Sequence, residues 1–212
     1  MTWKLFELLV VASGWTIVIS AASIMIGLAI GTCVSAAMLS NNAWLRWPGR
    51  LFVSFFRGAP LLVQLLLIYN LMPLLGLDVP GIVAAIAGLS LCTAAYQAEN
   101  LRGGFESVSR GYLEAAEMLG MNQWKQFTRI RAPIALRMTL PALTNEAIMI
   151  LKASSLVSVV GVVELTRTAQ DLAASTFMPI QLFATAGFLY LVINTLIALM
   201  ARFFESRLRW GK

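Results

Sequence analysis

The sequence predicts an all-α integral membrane protein with five transmembrane helices. Three observations predict this fold class: the chain is too apolar for a soluble domain, it has five windows long enough to cross a bilayer, and its basic residues cluster in alternate loops. Of its 212 residues, 59% are hydrophobic and only 12% are charged, with a mean hydropathy of +0.79. Soluble domains typically contain about 25% charged residues. We therefore expect a single membrane domain over residues 1–212.

Each predicted span reaches the roughly 20 residues with which a helix crosses about 30 Å of hydrocarbon. The spans are expected at residues 10–39, 51–75, 82–103, 138–163 and 181–204. The first window is too long for a signal-peptide core and only Lys4 precedes it as a basic residue, so we expect a retained helix. An odd number of spans places the two termini on opposite sides of the membrane.

The distribution of Lys and Arg predicts the orientation, because cytoplasmic loops hold an excess of both. They lie between spans one and two, between spans three and four, and after span five, at Arg46, Arg50, Arg57, Arg102, Arg110, Lys125, Arg129, Arg131, Arg137, Arg202, Arg207, Arg209 and Lys212. The opposite side has Lys4 and Arg167 beside the acidic residues Glu7, Asp78, Glu164 and Asp171. We therefore predict an outside N-terminus and a cytoplasmic C-terminus. The net charge of +6 reflects this topology and gives no support to nucleic-acid binding.

Several kinds of chemistry are not expected. The chain has no His, and its two cysteines, Cys33 and Cys92, lie in separate spans, so neither a metal site nor a disulfide framework is predicted. No GxxxxGK[ST] loop is present, so this chain does not bind ATP through a P-loop, and we expect no cofactor. Gly27 and Gly31 form a GxxxG pair that lets another helix approach closely, although this pattern is common by chance.

A polar and basic island, EAAEMLGMNQWKQFTRIRAP, extends from Glu114 to Pro133 within the loop 104–137. Its acidic start suits the N-terminus of a short helix, which Gly120 can end in a left-handed conformation. Asn122 can then cap a second helix that runs until Pro133, with apolar residues at helical spacing, Trp124, Phe127 and Ile130. The island therefore predicts a helix, an elbow and a second helix. By periodicity alone it could be any surface hairpin.

Polar residues inside the spans are candidates for a transport pathway, because an ionised group at a helix centre costs roughly 2.5 to 3.5 kcal/mol. Lys152 is the strongest candidate: it lies about 12 residues, or roughly 18 Å, into the fourth span, and no acid stands three or four residues away. The other candidates are Gln64, Asn70, Tyr96, Glu99, Asn100, Asn145, Ser154 and Ser155.

Structural alternatives are open for many of these residues. Glu99 can simply pair with Arg102, and Arg57 can be an ordinary cytoplasmic anchor. The amides Gln64, Asn70 and Asn145 can instead hydrogen-bond neighbouring helices.

The island matches the EAA signature of ABC-importer permeases: EAA, three residues, Gly, nine residues, Ile, one residue, a position that is usually Leu, then Pro. Ala132 stands at the Leu position. Three further segments resemble the polar amino acid branch of these permeases: FRGAPLLVQLLLIYN from Phe56, AAYQAENLRGGFESVSRGYLEAA from Ala94 and LPALTNEAIMILKASSLVSVVG from Leu140. The chain thus resembles an inner-membrane permease of the polar amino acid uptake family, of the histidine and glutamine type.

This resemblance implies a type I ABC importer permease architecture in the bacterial inner membrane. A second permease chain, identical or homologous, would share the membrane and its lipid, two ATP-binding ABC subunits would dock on the cytoplasmic side, and an extracytoplasmic solute-binding protein would deliver the solute. The permease would not be an enzyme, since ATP hydrolysis belongs to the separate subunits. Glu114, Ala115, Ala116 and Gly120 would belong to the coupling helix that docks on the ATPase, and Ile130 and Pro133 complete the set of ATPase-coupling residues.

Two positions depart from the family pattern. The family usually reads Lys, Asp, Thr, Ser, Leu where this chain has Lys152, Ala153, Ser154, Ser155 and Leu156. Loss of the carboxylate at Ala153 weakens the case for a cationic amino acid, while a substrate carboxylate that meets Lys152 stays plausible. Tyr112 stands where the family often has Gln.

Two other classes of function are considered. A secondary transporter or channel is disfavoured because no inverted repeat is visible and intramembrane carboxylates are scarce. A membrane assembly scaffold would use the polar island to bind some other partner. A co-purifying P-loop ATPase would distinguish an importer from both.

Overall fold

The structure is a computed structural model that describes residues 2–77 and 79–208, and all regular secondary structure within them is helical. The predicted all-α class is therefore confirmed. Asp78, Arg209 and Lys212, which contribute to the predicted orientation, lie outside the described residues.

Nine α-helices follow one another within the described residues. They are α1 (Trp3–Leu39), α2 (Ala43–Gly58), α3 (Leu61–Leu74), α4 (Gly81–Glu106), α5 (Arg110–Met118), α6 (Gln123–Gln126), α7 (Ala132–Ala153), α8 (Leu165–Thr176) and α9 (Pro179–Leu208). A π-helix, Phe127–Arg131, joins α6 to α7, and a 3₁₀-helix, Ser154–Val160, continues α7. Four helical stretches in the described chain are long and apolar enough to cross a membrane, and α2 with α3 supplies a fifth if the pair is one broken span.

The first and fourth helices pack along each other through small residues. A β-carbon placed on Gly31 would lie 2.8 Å from the carbonyl oxygen of Ala94, and one on Gly27 would lie 3.1 Å from the carbonyl oxygen of Ser90. Ordinary van der Waals contact begins near 3.4 Å, so only glycine allows this approach. The GxxxG pair thus serves packing within the chain, between α1 and α4.

The second predicted span is broken rather than straight. Helices α2 and α3 meet at an angle of 106°. Pro60 explains the break, because its ring disfavours helical backbone at the preceding residue, and Ala59 is extended, with φ −94° and ψ 143°. The buried Gln64 amide donates from Nε2 to the carbonyl oxygens of Phe56 (2.9 Å) and Ala59 (2.8 Å). Gln64 therefore satisfies carbonyl groups left open where α2 ends.

Glu164 lies in the protein core, although the sequence suggested an acidic residue of an outer loop. Its side chain is fully buried and caps α8, accepting a hydrogen bond from the Arg167 backbone N–H at 2.9 Å. The same carboxylate accepts from the hydroxyl groups of Tyr190 (2.8 Å) and Thr16 (3.2 Å). Glu164 therefore connects α8 to α9 and to α1.

Candidate functional site

The polar island forms a hairpin, which comprises residues 110–131. Its first arm, α5, begins at Arg110, a turn earlier than the predicted start at Glu114. The elbow is as predicted: Gly120 has φ +72°, its N–H donates to the Glu117 carbonyl at 2.9 Å, and the Met121 N–H donates to the Ala116 carbonyl at 3.0 Å. These two bonds satisfy the last carbonyl groups of α5 and turn the chain sharply.

The second arm begins with the predicted cap. The Asn122 side chain accepts a hydrogen bond from the Lys125 backbone N–H at 2.9 Å. Gln126, which is buried, donates from Nε2 to the Met121 carbonyl at 2.9 Å and so ties the arm back to the elbow. The ring of Phe127 stacks on Phe105 of α4, with centroids 5.9 Å apart. The hairpin is thereby fixed to a membrane helix.

The predicted end of this arm at Pro133 is wrong. The chain stays helical from Gln123 through the π-helix into α7, where Pro133 occupies the first turn. In the π-helix the Ala132 N–H donates to the Phe127 carbonyl, five residues back instead of four. This change of register falls immediately before Pro133, so the missing proline N–H does not interrupt the helix.

The outer end of the hairpin is an exposed apolar tip. Met118 is 90% exposed, Leu119 81% and Trp124 71%. Clusters of exposed apolar side chains are typical of surfaces that bind a protein or a membrane. The residues of the EAA match divide into three groups: Glu114, Ala115 and Gly120 are exposed near this tip, Ala116 is buried, and Ile130 and Pro133 are half-buried at the base of the hairpin.

Lys152 lies in a groove between α7 and α9, here called the α7–α9 groove, with a volume of about 610 Å³. It is exposed in the single chain, and none of the ion pairs among the described residues involves it. The groove is also lined by Tyr190, Asn194 and Arg202 of α9. Asn194 is 8% exposed and donates from Nδ2 to the Tyr190 carbonyl at 2.7 Å, while its Oδ1 has no partner among the described residues.

The other candidates on or after α7 are placed differently. Asn145 is exposed but is not among the residues that line the groove. Ser154 is fully buried and donates to the Leu151 carbonyl at 2.7 Å, and Ser155 donates to the Lys152 carbonyl at 2.9 Å. Both hydroxyl groups are thus satisfied by their own helical segment.

A charged cluster surrounds the second half of α4. The Arg57 guanidinium lies over the Tyr96 ring, 5.2 Å from its centroid. Arg102 pairs with Glu99, Nε to Oε2 at 3.2 Å, and with Glu106, Nη1 to Oε2 at 2.6 Å. Glu99 therefore pairs with Arg102 in the structure, and Arg57 also contacts the Tyr96 ring.

The remaining candidates, Asn100, Asn70 and Gln64, are not part of this charged cluster. Asn100 is half-buried on α4. Asn70 is exposed, and its Nδ2 donates to the Leu66 carbonyl on its own helix at 2.7 Å. Gln64, as described above, stabilises the break between α2 and α3.

Glu146 was not among the site residues predicted from the sequence. This carboxylate is 5% exposed on α7, and it lies close to the Thr93 hydroxyl of α4 and to the positive charge of Arg57. Thr93 also accepts a hydrogen bond from Gln97 at 3.1 Å. A carboxylate inside an apolar window is itself a signal of function, and that signal stood in the fourth predicted span.

The chain combines membrane-spanning helices, a groove that contains Lys152 and a hairpin with an exposed apolar tip, an arrangement that suits a membrane subunit that docks on a partner. The family described as "Binding-protein-dependent transport system inner membrane component" matches residues 23–210. The chain belongs to this family. Membership excludes the secondary transporter and the assembly scaffold considered from the sequence.

The chain is similar to two permeases of known family and to one solved transporter structure. The chain is 35% identical over 202 residues to the probable amino-acid ABC transporter permease protein YckA of Bacillus subtilis (strain 168), which covers 95% of this chain and 89% of that protein. It is 35% identical over 210 residues to the octopine transport system permease protein OccM of Rhizobium meliloti, covering 92% and 84%. A crystal structure of an amino acid ABC transporter with histidines superposes with a TM-score of 0.91 at 31% identity, covering 96% of this chain and 95% of that one.

These findings establish what kind of subunit this is. The chain is the multi-pass permease of a binding-protein-dependent ABC importer, with a type I ABC permease fold. ATP hydrolysis takes place in a separate subunit, so the permease is not itself catalytic. ATPase subunits, a solute-binding protein and a second permease are the partners that the family implies.

Proposed function

We propose that this permease carries polar amino acids or amino acid derivatives into a bacterial cell across the inner membrane. The relatives named as amino-acid and octopine permeases support this substrate class. The complete importer contains two permease chains, two ATP-binding subunits and one extracytoplasmic binding protein. The distribution of basic residues supports five spans with the N-terminus outside and the C-terminus in the cytoplasm, where α2 and α3 form one broken span.

The hairpin is the observation that carries the proposed coupling to the ATPase. Glu114 and Ala115 face outward beside the exposed tip at Met118 and Leu119, so a groove on the ATPase can meet an acidic and apolar surface. Ala116 and Gly120 set the shape of the elbow. Ile130 and Pro133 lie where the second arm enters α7 and so link the docking surface to a membrane helix.

The pathway proposal centres on Lys152, whose ammonium group can meet a substrate carboxylate in the α7–α9 groove. We assign Asn145, Tyr96, Glu99 and Asn100 to the pathway lining in the two-permease assembly. A second set, Gln64, Asn70, Ser154 and Ser155, shapes the walls through bonds to backbone carbonyl groups.

Two substitutions in the hairpin test the proposed coupling. Gly120→Val forces a left-handed backbone on a residue with a β-carbon, at a cost of about 1 to 2 kcal/mol. Glu114→Lys leaves the elbow unchanged and reverses one charge of the docking surface. We expect normal amounts of membrane-inserted permease, but weaker pull-down of the ATPase subunit and ATP hydrolysis that no longer responds to the loaded binding protein.

Gly111→Val is the matched control on the same hairpin. A β-carbon on Gly111 meets nothing closer than the Ser109 hydroxyl at 3.7 Å, and Gly111 is not among the glycines with positive φ. This variant should therefore dock and respond normally. Wild-type docking and stimulation in both Gly120→Val and Glu114→Lys would show that the hairpin is not the coupling element.

A further inference from the structure

Helix α2 has an apolar face and a basic face, and the chain leaves both at least partly open. The apolar side chains of Trp44, Leu51 and Phe55 are each more than half exposed, and their spacing of seven and four residues places them on one face. The basic face carries Arg46, Arg50 and Arg57, spaced by four and seven residues. At about 100° per residue, the centres of the two faces lie about 140° apart around the helix axis.

A third face of α2 packs on the rest of the chain. Gly49 and Val53 are buried there, and a β-carbon on Gly49 would lie 2.9 Å from the Cγ of Met38 in α1. Val53 belongs to a buried cluster that also contains Ala95 of α4. The packing of α2 within the chain therefore does not use its exposed apolar face.

The bend after α2 indicates how this helix lies in the membrane. Helices α2 and α3 are bent by 106°, about 16° more than a right angle. With α3 along the membrane normal, α2 therefore lies within about 16° of the membrane plane. Residues 61–77, which comprise α3 and the turn after it, reach the lower limit of about 17 residues for a spanning segment. The crossing therefore does not need α2.

The basic face of α2 lies beside the charged end of α4. The Arg57 guanidinium covers the Tyr96 ring, 5.2 Å from its centroid, and the charges of Arg50 and Arg57 act on the Glu99 carboxylate. Glu99 stands close to the end of the third predicted span, 82–103. The basic face is therefore level with the boundary between hydrocarbon and water, and the apolar face, on the other side of the helix axis, is turned toward the acyl chains.

We propose that α2 binds the lipid surface of the cytoplasmic leaflet, with Trp44, Leu51 and Phe55 about 5 to 10 Å into the boundary between headgroups and acyl chains, and that only the α3 part of the broken span crosses the bilayer. Helices with Trp, Phe and Leu on one face and Arg on another lie in this way in the membrane interface. The choice of leaflet rests on the orientation proposed above. Because Arg57 stands near the end of α2, the lipid surface would help to hold its guanidinium against α4.

Spin-label depth measurements on the assembled importer in liposomes test this proposal. Nitroxide labels are attached to Trp44→Cys or Leu51→Cys, and their collisions with oxygen and with a water-soluble nickel chelate give their depths. Cys33→Ala is the background for both, since Cys92 is buried. The two labels are seven residues, or about 10 Å, apart along the helix. A helix within about 16° of the membrane plane places them at depths that differ by about 3 Å, whereas a spanning helix separates them by about 10 Å.

Two control comparisons calibrate the measurement. Val11→Cys and Val18→Cys have the same spacing at exposed positions of α1 within one predicted span, and their depths should differ by about 10 Å. On α2 itself, Ser54 is exposed and lies nearer the basic face than Leu51 does. A label at Ser54→Cys should therefore be shallower than one at Leu51→Cys. In a spanning α2 it would instead be deeper, because it is three residues closer to α3.

Shallow depths that agree within about 3 Å at positions 44 and 51, with the label at 54 nearer the water, support the proposal. A difference near 10 Å, or equal depths at the bilayer centre, would overturn it. Labels that neither oxygen nor the chelate reaches would also overturn it, because they would show that another subunit, such as the second permease, covers this face. Depth is measured from the nearer membrane surface and involves no ATP hydrolysis, so the result is independent of the coupling test and of the orientation.

Discussion

Gly104 and Gly103 are adjacent glycines on α4 that meet different surroundings, and this difference gives a sharp test of the packing. A β-carbon on Gly104 would lie 2.9 Å from the Ala135 carbonyl oxygen of α7 and closer still to the Thr139 hydroxyl. One on Gly103 would meet nothing within 4 Å. Because Thr139 is buried and donates to the Ala135 carbonyl at 2.7 Å, it cannot turn away without breaking that bond.

The expected cost of Gly104→Ala follows from this geometry. Ordinary contact begins near 3.4 Å, so α4 and α7 must separate by about half an ångström to clear the Ala135 carbonyl, and the Thr139 hydroxyl must also move; overpacking of this kind typically costs about 1 to 3 kcal/mol. Gly103→Ala should instead gain about 0.5 to 1 kcal/mol from helix propensity. The free energies of unfolding of the two variants should therefore differ by at least about 1.5 kcal/mol.

Thermal unfolding of the purified permease in one detergent measures this difference. For a chain of this size each kcal/mol shifts Tm by about 2 to 4 °C, so Gly104→Ala should melt at least about 3 °C below Gly103→Ala. Equal Tm values would refute the close contact between α4 and α7. The comparison uses neighbouring positions of one helix and the same substitution, so general effects of adding a methyl group cancel.

Two further predictions concern the pathway and the topology. Lys152→Met should assemble normally but impair uptake into proteoliposomes supplied with binding protein, because the groove loses its ammonium group, whereas Lys152→Arg should retain part of the uptake. Normal uptake by Lys152→Met at unchanged substrate affinity would remove Lys152 from the pathway. A reporter fused after Lys212 should be active in the cytoplasm, and one inserted near Asp78 should report the outside, because all Lys and Arg except Lys4, Lys152 and Arg167 lie on the predicted cytoplasmic side. An outside C-terminus would contradict five spans.

Hydropathy and local backbone chemistry were sufficient to predict many of the helices and the elbow of the hairpin. Helices α1, α4 and α9 contain the predicted windows 10–39, 82–103 and 181–204 and extend beyond them. The hairpin was predictable because Gly120 and Asn122 act on their immediate neighbours. Pro60 also signalled the break before α3, but a hydropathy window averages over residues and does not register a backbone change at one position.

The candidate site was less predictable because its partners are distant in sequence. Glu146 lies close to Thr93, and the Glu164 carboxylate accepts hydrogen bonds from Thr16 and Tyr190. No local sequence pattern indicates these contacts. Lys152 was found because a lone ammonium group in an apolar window is unusual. The groove around Lys152 was not predicted, because the α9 residues that line it are separated from Lys152 in sequence by α8.

Continuity of the helix after the hairpin connects the two parts of the site. Gln123–Val160 forms one helical stretch of 38 residues, which at 1.5 Å per residue is about 57 Å long. A helix that ended at Pro133 would have placed a flexible joint between the docking surface and the membrane. Instead, the stretch carries Trp124 near the tip, Glu146 against α4 and Lys152 in the groove, and it ends at Gly161, with φ +79°. In the coupling proposed above, a displacement of the hairpin by the ATPase would reach Lys152 through a single element, which packs against α4 where Ala135 approaches Gly104. For this reason Gly104→Ala should also weaken the response of ATP hydrolysis to the loaded binding protein, while Gly103→Ala should preserve it.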